Sequence, residues 1–211
     1  MTGCPGSGKT MTAYNLNCAI PNSIVICRDN LKAQNYRTDC LNKYSYFNGD
    51  VCDRKFFDSA KEFLNQFDLI VLDATFRLRS RREQALRLAR KQNCDFLILH
   101  CVCSYSVLVQ RLRQRMCSGQ SHLIKSPEEV IEYYVDDSEH WRRELSNKNF
   151  IQFDTSKNEI VWQCLNKHSE SFVEQIIEIL KKPFNPESKN KLSAKLHETD
   201  HFIKEPQVAY L

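Results

Sequence analysis

A glycine-rich segment near the start of the chain constrains the fold more than any other feature. Residues 3–10 read Gly-Cys-Pro-Gly-Ser-Gly-Lys-Thr and fit the pattern G-x-x-x-x-G-K-[S/T] at every position. Glycines let the backbone wrap closely around a phosphate, so that its N–H groups point at the oxygens. A helix that begins there adds the positive end of its dipole. The segment therefore predicts a phosphate-binding loop at the amino end of a helix.

The residue types in this loop predict how it holds a nucleotide. Lys9 is expected to reach the β- and γ-phosphates, and the Thr10 hydroxyl is expected to hold Mg²⁺. The alternative is a chance match within a glycine-rich turn, which the following helical pattern disfavours. The loop residues predicted to bind the nucleotide are Gly3, Pro5, Gly6, Ser7, Gly8, Lys9 and Thr10.

The rest of the chain alternates short apolar runs with helical patterns. Strands are predicted at 23–27, 67–72, 95–102 and 150–153, and helices at 10–20, 54–66, 80–92, 105–115, 126–145 and 169–181. Ser80 with Glu83, and Ser126 with Glu129, are expected to form capping boxes at two of these helices. Such alternation predicts an α/β protein with a parallel sheet and right-handed crossovers.

The predicted loop lacks a strand in front of it. A phosphate loop normally follows the central hydrophobic strand of its sheet, yet only Met1 and Thr2 precede Gly3. Either upstream residues belong to the protein, which we favour, or the fold has lost this first strand. Its loss is expected to leave a gap in the sheet, with unpaired backbone groups on both neighbouring strands.

Length and composition indicate one domain in a reducing compartment. The chain has 211 residues and a net charge of +4, which is compatible with an anionic ligand. It has neither a signal-peptide core nor an apolar run near the roughly 18 residues of a membrane span, so we expect a cytoplasmic protein. Its ten cysteines show no C-x-x-C spacing and are expected to be reduced and mostly packed. We expect a domain over residues 1–182 and a polar, loosely ordered tail over 183–211.

Two carboxylates directly follow predicted strands. Asp73 ends one strand, where it is expected to hold a Mg²⁺ water or position a substrate hydroxyl, or to serve only as a turn residue. Arg28 and Asp29 follow the strand at 23–27 on the same edge of the sheet. A carboxylate there can accept the proton of an attacking hydroxyl, but Asp29 fits a helix N-cap equally well.

Arginines form two further groups. Arg111 and Arg115 share one face of a predicted helix and suit a lid that closes over phosphates, or a solvated helix face. Arg113 is expected to point to the other side. Downstream of Asp73, a basic run suits either an anionic substrate or solvent. That run comprises Arg77, Arg79, Arg81 and Arg82.

Together these residues resemble the P-loop kinases of the polynucleotide-kinase-like group, also described as an AAA-type ATP-binding domain. Gluconate kinases, zeta toxins and chloramphenicol phosphotransferases are wider relatives. The resemblance covers residues 3–156. It implies a three-layer P-loop NTPase sandwich with a small helical lid at about 112–128. It also implies transfer of the ATP γ-phosphoryl group to a hydroxyl, with Mg²⁺ as cofactor.

The resemblance also implies roles for single residues. Asp29 is similar to the general base, and Lys9, Arg111 and Arg115 are similar to groups that stabilise the transferring phosphoryl, with Arg111 also binding the nucleotide. Thr10 and Asp73 would hold the metal ion. Arg28, Lys32 and Thr75 would contact the acceptor substrate. In the family's D-x-T-N motif, Phe76 replaces the asparagine here, and Asp154-Thr155-Ser156 is similar to a stretch after the last strand.

Three functions remain open at this stage. The first is a kinase for a polynucleotide 5′-hydroxyl end or, nearly as well, a small metabolite. The second is an ATPase, because residues 3–10 resemble the GPPGSGKT loop of AAA+ machines; a single acid at Asp73 and the short chain disfavour it. The third is a degenerate nucleotide-binding protein, which the missing first strand makes credible.

Overall fold

The computed structural model describes residues 1–31, 49–118, 126–135, 149–165 and 170–182. Helices and strands alternate along this part of the chain. The helices are α1 (Lys9–Ala19), α2 (Gly49–Phe63), α3 (Arg79–Lys91), α4 (Tyr105–Cys117), α5 (Pro127–Val135) and α6 (Glu170–Lys181). The strands are β1 (Ser23–Cys27), β2 (Leu69–Asp73), β3 (Leu97–Val102), β4 (Asn149–Asp154) and β5 (Glu159–Cys164). The predicted α/β class is confirmed.

The two predicted capping boxes have different outcomes. Before α5, the Ser126 amide donates to Glu129 Oε2 at 3.0 Å and the Glu129 amide donates to Ser126 Oγ at 3.2 Å, as predicted. At α3 the prediction is wrong. The helix begins at Arg79 without a side-chain cap, and Glu83 accepts a 2.7 Å hydrogen bond from Arg79. An i,i+4 ion pair has therefore taken the carboxylate that the cap required.

The strands form two groups. β1 pairs in parallel with β2, so that Cys27 lies level with Asp73. β3 pairs in parallel with β4, so that Val102 lies level with Asp154. β5 then pairs antiparallel with β4. The expected parallel pairing is confirmed for β1 with β2 and for β3 with β4. β5 is an addition that the sequence patterns do not predict, and it runs antiparallel because a tight turn after Asp154 sends the chain straight back.

A gap separates β2 from β3. The Thr2 amide donates to Leu99 O and the Cys101 amide donates to Thr2 O, both at 2.8 Å. The Met1 amino group donates to Leu72 O at 2.9 Å. Met1 and Thr2 thus form backbone hydrogen bonds within the gap, and the described strands β2 and β3 are not paired with one another. The predicted interruption of the sheet is confirmed.

Helices cover both faces of the sheet. Val71, Leu99 and Ile151 contribute to one core cluster, together with residues of α1 and α6. Ile26 and Phe76 belong to a second cluster with residues of α2 and α3 on the opposite face. The expected three-layer sandwich is therefore present. A third cluster joins α4 and α5 beneath Cys4 of the glycine-rich loop.

Several predictions concern residues outside the described part of the chain. These are Lys32, residues 119–125 of the predicted lid at 112–128, the extension of the predicted α5 helix beyond residue 135, and the tail over 183–211. The nine described cysteines form no disulfide with one another. Within the described ranges, every helix is too short or too polar to cross a membrane.

Candidate functional site

The glycine-rich loop ends in a helix N-terminus that is ready to receive an anion. Gly8 caps α1 with φ +88°, and a Cβ atom there would lie 2.8 Å from Thr155 Oγ1. The first bond of this helix runs from the Thr12 amide to Gly8 O at 3.0 Å. The amides of residues 9–11 therefore have no acceptor within the helix. The first turn also contains no acidic side chain that could accept hydrogen bonds from them. Backbone and helix dipole together favour a phosphate at this point.

Lys9 lies folded over the loop. Its side chain is buried, and Nζ donates to Cys4 O at 3.0 Å. Ser7 Oγ is also buried and has no hydrogen-bond partner in the described structure. The loop thus encloses a positive charge and an unused hydroxyl, and both groups suit phosphate oxygens.

Thr10 and Asp73 meet at the edge of the sheet. Thr10 Oγ1 donates to Asp73 Oδ2 at 2.6 Å, although the two residues lie 63 positions apart. Asp73 is 3% exposed, and its other oxygen, Oδ1, has no hydrogen-bond partner among the described residues. A hydroxyl beside a carboxylate with a spare buried oxygen is the kind of oxygen donor set that Mg²⁺ prefers. The structure therefore brings together the two residues predicted to hold the metal, and they fit it.

Thr155 connects the loop to α4. Its hydroxyl donates to Ser7 O at 2.8 Å and accepts from Arg111 Nη1 at 3.0 Å. The same Arg111 atom lies 3.3 Å from Gly6 O. A single side chain therefore touches both the loop and an arginine predicted to bind phosphate. From the sequence, only the weak Asp154-Thr155-Ser156 match pointed to this residue.

Asp154 fixes the turn that presents Thr155. Its Oδ1 accepts from the Ser156 amide at 2.8 Å, from Ser156 Oγ at 2.6 Å and from the Lys157 amide at 3.3 Å. Burial opposes the charged form, but these hydrogen bonds outweigh it and lower the pKa of Asp154. The carboxylate therefore stays charged and keeps the turn in shape.

A cavity of about 550 Å³ opens beside the loop. Gly6 and Gly8 of the loop line it, together with Arg111 and Arg115 of α4. Arg113 lies on the other face of α4, where it pairs with Glu128 of α5 at 2.9 Å. As predicted, Arg111 and Arg115 therefore share one face of α4, and Arg113 lies on another. The remaining lining comes from α1, α4 and the β4–β5 turn: Met11, Thr12, Asn15, Gln114, Ser118, Phe153, Thr155 and Asn158.

Asp29 lies at the same sheet edge as the metal pair. Residues 28–31 are helical, so Asp29 belongs to the first helical turn and the N-cap interpretation is wrong. It comes two residues after Cys27, which is level with Asp73 on the neighbouring strand. The Asp29 side chain is exposed. Exposure at this edge leaves the carboxylate accessible to a molecule in solution.

Arg28 is held by the protein itself. Its Nε donates to Asp53 Oδ1 at 2.5 Å. The other oxygen, Asp53 Oδ2, forms an ion pair with Arg81 Nη2 at 2.6 Å. Asp53 lies on α2 and Arg81 on α3. This carboxylate therefore holds the residue that follows β1 against both α2 and α3.

The remaining arginines after Asp73 do not form one anion-binding patch. Arg79 pairs with Glu83, and Arg82 is buried and donates to the carbonyls of Phe76 and Arg77 at 2.8 and 2.6 Å. Arg77 lies over the Tyr133 ring, 4.2 Å from its centre. Each arginine thus has a partner within the protein.

Phe76 has a structural role where the related motif carries asparagine. It is 6% exposed, and its ring packs 6.0 Å from that of Phe56 and 6.5 Å from that of Phe57. Its φ of +47° is uncommon for an aromatic residue and is better tolerated by asparagine. The neighbouring Thr75 is half-buried, and its carbonyl accepts from Thr2 Oγ1 at 2.8 Å. Packing on α2 therefore outweighs the backbone preference at this position.

Burial suppresses the acidity of the loop thiol. Burial raises the pKa of Cys4 to about 11, although the nearby charge of Lys9 acts in the opposite direction. The thiol therefore remains protonated at neutral pH and acts as a small apolar side chain.

Comparisons with known proteins agree with this fold. A family model described as an AAA domain matches residues 1–145. No curated protein matches the sequence. A candidate kinase from Chloroflexus aurantiacus is 21% identical and has a TM-score of 0.56, over 73% of this chain and 85% of its own. The tunicamycin resistance protein of Deinococcus radiodurans is 14% identical with a TM-score of 0.54, over 88% of this chain and 95% of its own. At these identities the likeness is one of fold.

Proposed function

Because the chain belongs to the AAA domain family, we propose that it is an ATP-dependent phosphotransferase that moves the γ-phosphoryl group to a hydroxyl. The hydroxyl oxygen attacks the γ-phosphorus, the bond from that phosphorus to the β–γ bridging oxygen breaks, and ADP leaves. The hydroxyl proton passes to the Asp29 carboxylate. Protein groups act by positioning the reactants and neutralising charge.

One observation carries this proposal: the Thr10–Asp73 pair and Arg111 both lie beside the same glycine-rich loop. A triphosphate on this loop would have both oxygen ligands for a metal and a guanidinium within the same site. Lys9 supplies a further positive charge from within the loop. This arrangement suits a transferring phosphoryl group, whose charge is spread over several oxygens.

Mg²⁺ would be held by Thr10 and Asp73. Bound there, it would neutralise part of the phosphate charge. The spare buried oxygen of Asp73 supports this role, because a buried carboxylate oxygen without a partner is costly unless a ligand meets it.

The nucleoside would occupy the cavity beside the loop. Its volume of about 550 Å³ lies within the range of small-molecule sites. Asn15 and Gln114 line it and carry amides that can donate to or accept from a base. Arg115 of α4 also lines the cavity and would approach the phosphates from this helix.

The acceptor would bind on the side where Asp29 lies. Arg28, Lys32 and Thr75 are proposed to contact it, with Arg28 oriented by Asp53. We favour a polynucleotide 5′-hydroxyl end as acceptor, by resemblance to the polynucleotide-kinase-like group. A hydroxyl-bearing small metabolite is the alternative acceptor.

A second function has one specific observation in its favour. Phe76 is buried in the aromatic cluster, so this chain lacks the polar asparagine side chain at that point of the acceptor side. A protein that binds nucleotide without transferring phosphate would tolerate such a change. Nucleotide binding without turnover distinguishes this function from the first.

The test follows the labelled phosphate. The chain is incubated with γ-labelled ATP and Mg²⁺, alone and with 5′-hydroxyl oligonucleotides or sugars, beside Asp29→Asn. Asp68→Asn, at an exposed position before β2, is the matched control. Label that moves to one acceptor in the parent and in Asp68→Asn, but not in Asp29→Asn, supports the kinase. Phosphate release without an acceptor favours an ATPase, and ATP binding without either favours the nucleotide-binding protein.

A further inference from the structure

One face of α4 runs along the cavity beside the phosphate loop. Arg111 lies nearest the loop, with Nη1 3.3 Å from Gly6 O. Gln114, Arg115 and Ser118 also line the cavity and share a helix face with Arg111. Ser118 lies about 10 Å further along the helix axis than Arg111. This face therefore extends beyond the part that contacts the loop, far enough for its later residues to contact a nucleoside.

α1 contributes a second row of lining residues. Met11 and Asn15 lie one turn apart, so they share a face of this helix, and both line the cavity. Asn15 is half-buried and lies about 9 Å along the helix axis from Lys9, where the helix begins. Phosphates would bind at that beginning. Asn15 is therefore placed to contact the nucleoside rather than the phosphates.

Side-chain amides supply much of the polar chemistry of this cavity. The amide of Asn158 donates to Lys182 O at 3.2 Å, which fixes its orientation. The amides of Asn15 and Gln114 each carry an acceptor oxygen and a donor nitrogen, and rotation about the last side-chain bond exchanges the two. Among the described residues that line the cavity, none is acidic. These residues thus include no carboxylate, which is a group that can only accept.

Adenine and guanine differ in which atoms of their Watson–Crick edges donate. Adenine presents an amino donor beside an acceptor nitrogen, whereas guanine presents a carbonyl acceptor beside two N–H donors. A rotatable amide pairs with either edge, but a carboxylate pairs well only with guanine. From these features we propose that Asn15 and Gln114 contact the base edge and that the cavity binds GTP about as well as ATP. The inference rests on the proposed function, which places the nucleoside in this cavity.

The test compares the Kd values of ATP and GTP, both measured by calorimetry with Mg²⁺. In the parent chain we expect the two values to agree within about threefold. Asn15→Asp and Gln114→Glu should each shift the ratio of the two Kd values about tenfold in favour of GTP, because the new carboxylate accepts from guanine and repels the acceptor nitrogen of adenine. Gln84→Glu, at an exposed position on α3, is the matched control and should keep the ratio of the parent.

The ratio of the two Kd values isolates the base, because both nucleotides carry the same triphosphate. The two acidic variants lie on different helices, so either one tests the contact if the other fails to fold. A preference of the parent for ATP above about thirtyfold would overturn the proposal. So would a parent-like ratio in both acidic variants. Binding of neither nucleotide would overturn the proposed function as well, whereas nucleotide binding without transfer of label would overturn the proposed function alone.

Discussion

The Thr10 hydroxyl lies 2.6 Å from the Asp73 carboxylate and so joins the first turn of α1 to the end of β2. This contact ties the phosphate loop to the sheet edge on which Asp29 also lies. It is a direct hydrogen bond, and a metal ion placed between loop and strand would take oxygens from the same two groups. The most direct test of the site therefore begins with this pair.

Asp73→Asn removes the negative charge while keeping the shape of the side chain. We expect the Mg²⁺-dependent gain in ATP affinity to fall by about tenfold, equivalent to about 1.4 kcal/mol, because an amide is a weaker ligand for a hard cation. Kd values measured with Mg²⁺ and with EDTA give this gain directly. Asp68→Asn should retain it. A full gain in Asp73→Asn would show that Asp73 does not hold the metal.

Thr155→Val removes the hydroxyl that bonds both Ser7 O and Arg111. We expect the affinity for ATP to fall about fivefold, because about 1 kcal/mol of loop positioning is lost with this hydrogen bond. Thr155→Ser retains the hydroxyl and should bind within about twofold of the parent. Equal affinities for the valine and serine variants would contradict a positioning role for this hydroxyl.

Arg111→Gln and Arg113→Gln form a matched pair on one helix. Arg111 contacts the loop carbonyl of Gly6, whereas Arg113 forms an exposed pair with Glu128. We expect a loss of about tenfold in ATP affinity for the first variant, because a charge-assisted contact to phosphate is removed. The second should change affinity by less than about twofold, as exposed ion pairs contribute little. Equal effects would remove the assignment of Arg111 to the nucleotide.

Phe76→Asn restores the residue of the related motif at a position already in the left-handed region. The free energy of unfolding should nevertheless fall by about 3 kcal/mol, because the lost packing against Phe56 and Phe57 exceeds any relief of backbone strain. Urea denaturation measures the change. The exposed Leu78→Ala variant should lose less than about 1 kcal/mol. An unchanged free energy in Phe76→Asn would show that the aromatic cluster does not stabilise this loop.

We expect His100 to make the stability of the fold depend on pH. Burial, with smaller contributions from the charges of Lys9 and Arg82, lowers its pKa from 6.5 to about 4. Between these values the unfolded chain binds the proton and the folded chain does not, so stability falls as pH decreases from 6.5 toward 4. At a pH below the pKa of the folded state, about 3 kcal/mol of the free energy of unfolding has been lost. Denaturation curves of the parent and His100→Gln over this range should converge at low pH, and parallel curves would exclude His100 as the cause.

Sequence patterns predicted most helices and strands because these elements depend mainly on residues that are close together in the chain. The strand at Ser23–Cys27 and the cap of Ser126 with Glu129 depend on residues close in sequence. The antiparallel β5 escaped prediction because its residues are mostly exposed and its apolar run, residues 160–162, is only three residues long. The cap at Ser80 failed because Arg79 competes for Glu83.

The candidate site was predictable only in part. Its glycine-rich loop has a fixed spacing, and the strand-end acids could be placed from the α/β pattern. The contact of Thr155 with Ser7 spans 148 positions, so no local pattern encodes it. Likewise, the partner of Arg28 is Asp53, 25 residues away on another element, and only the packed structure brings them together.

The rate at which the buried thiols are alkylated reports how often the structure around them opens. Cys4 lies within the phosphate loop, and Cys101 lies fully buried on β3 behind it. Burial raises the pKa of each thiol to about 11, so an alkylating reagent must wait until the surrounding structure opens. The exposed Cys94 and Cys117 offer no such delay and set the intrinsic rate of the reagent. Mass spectrometry of the labelled cysteines therefore measures two opening rates without any substitution in the chain. Cys4 reports on the loop, and Cys101 reports on the sheet.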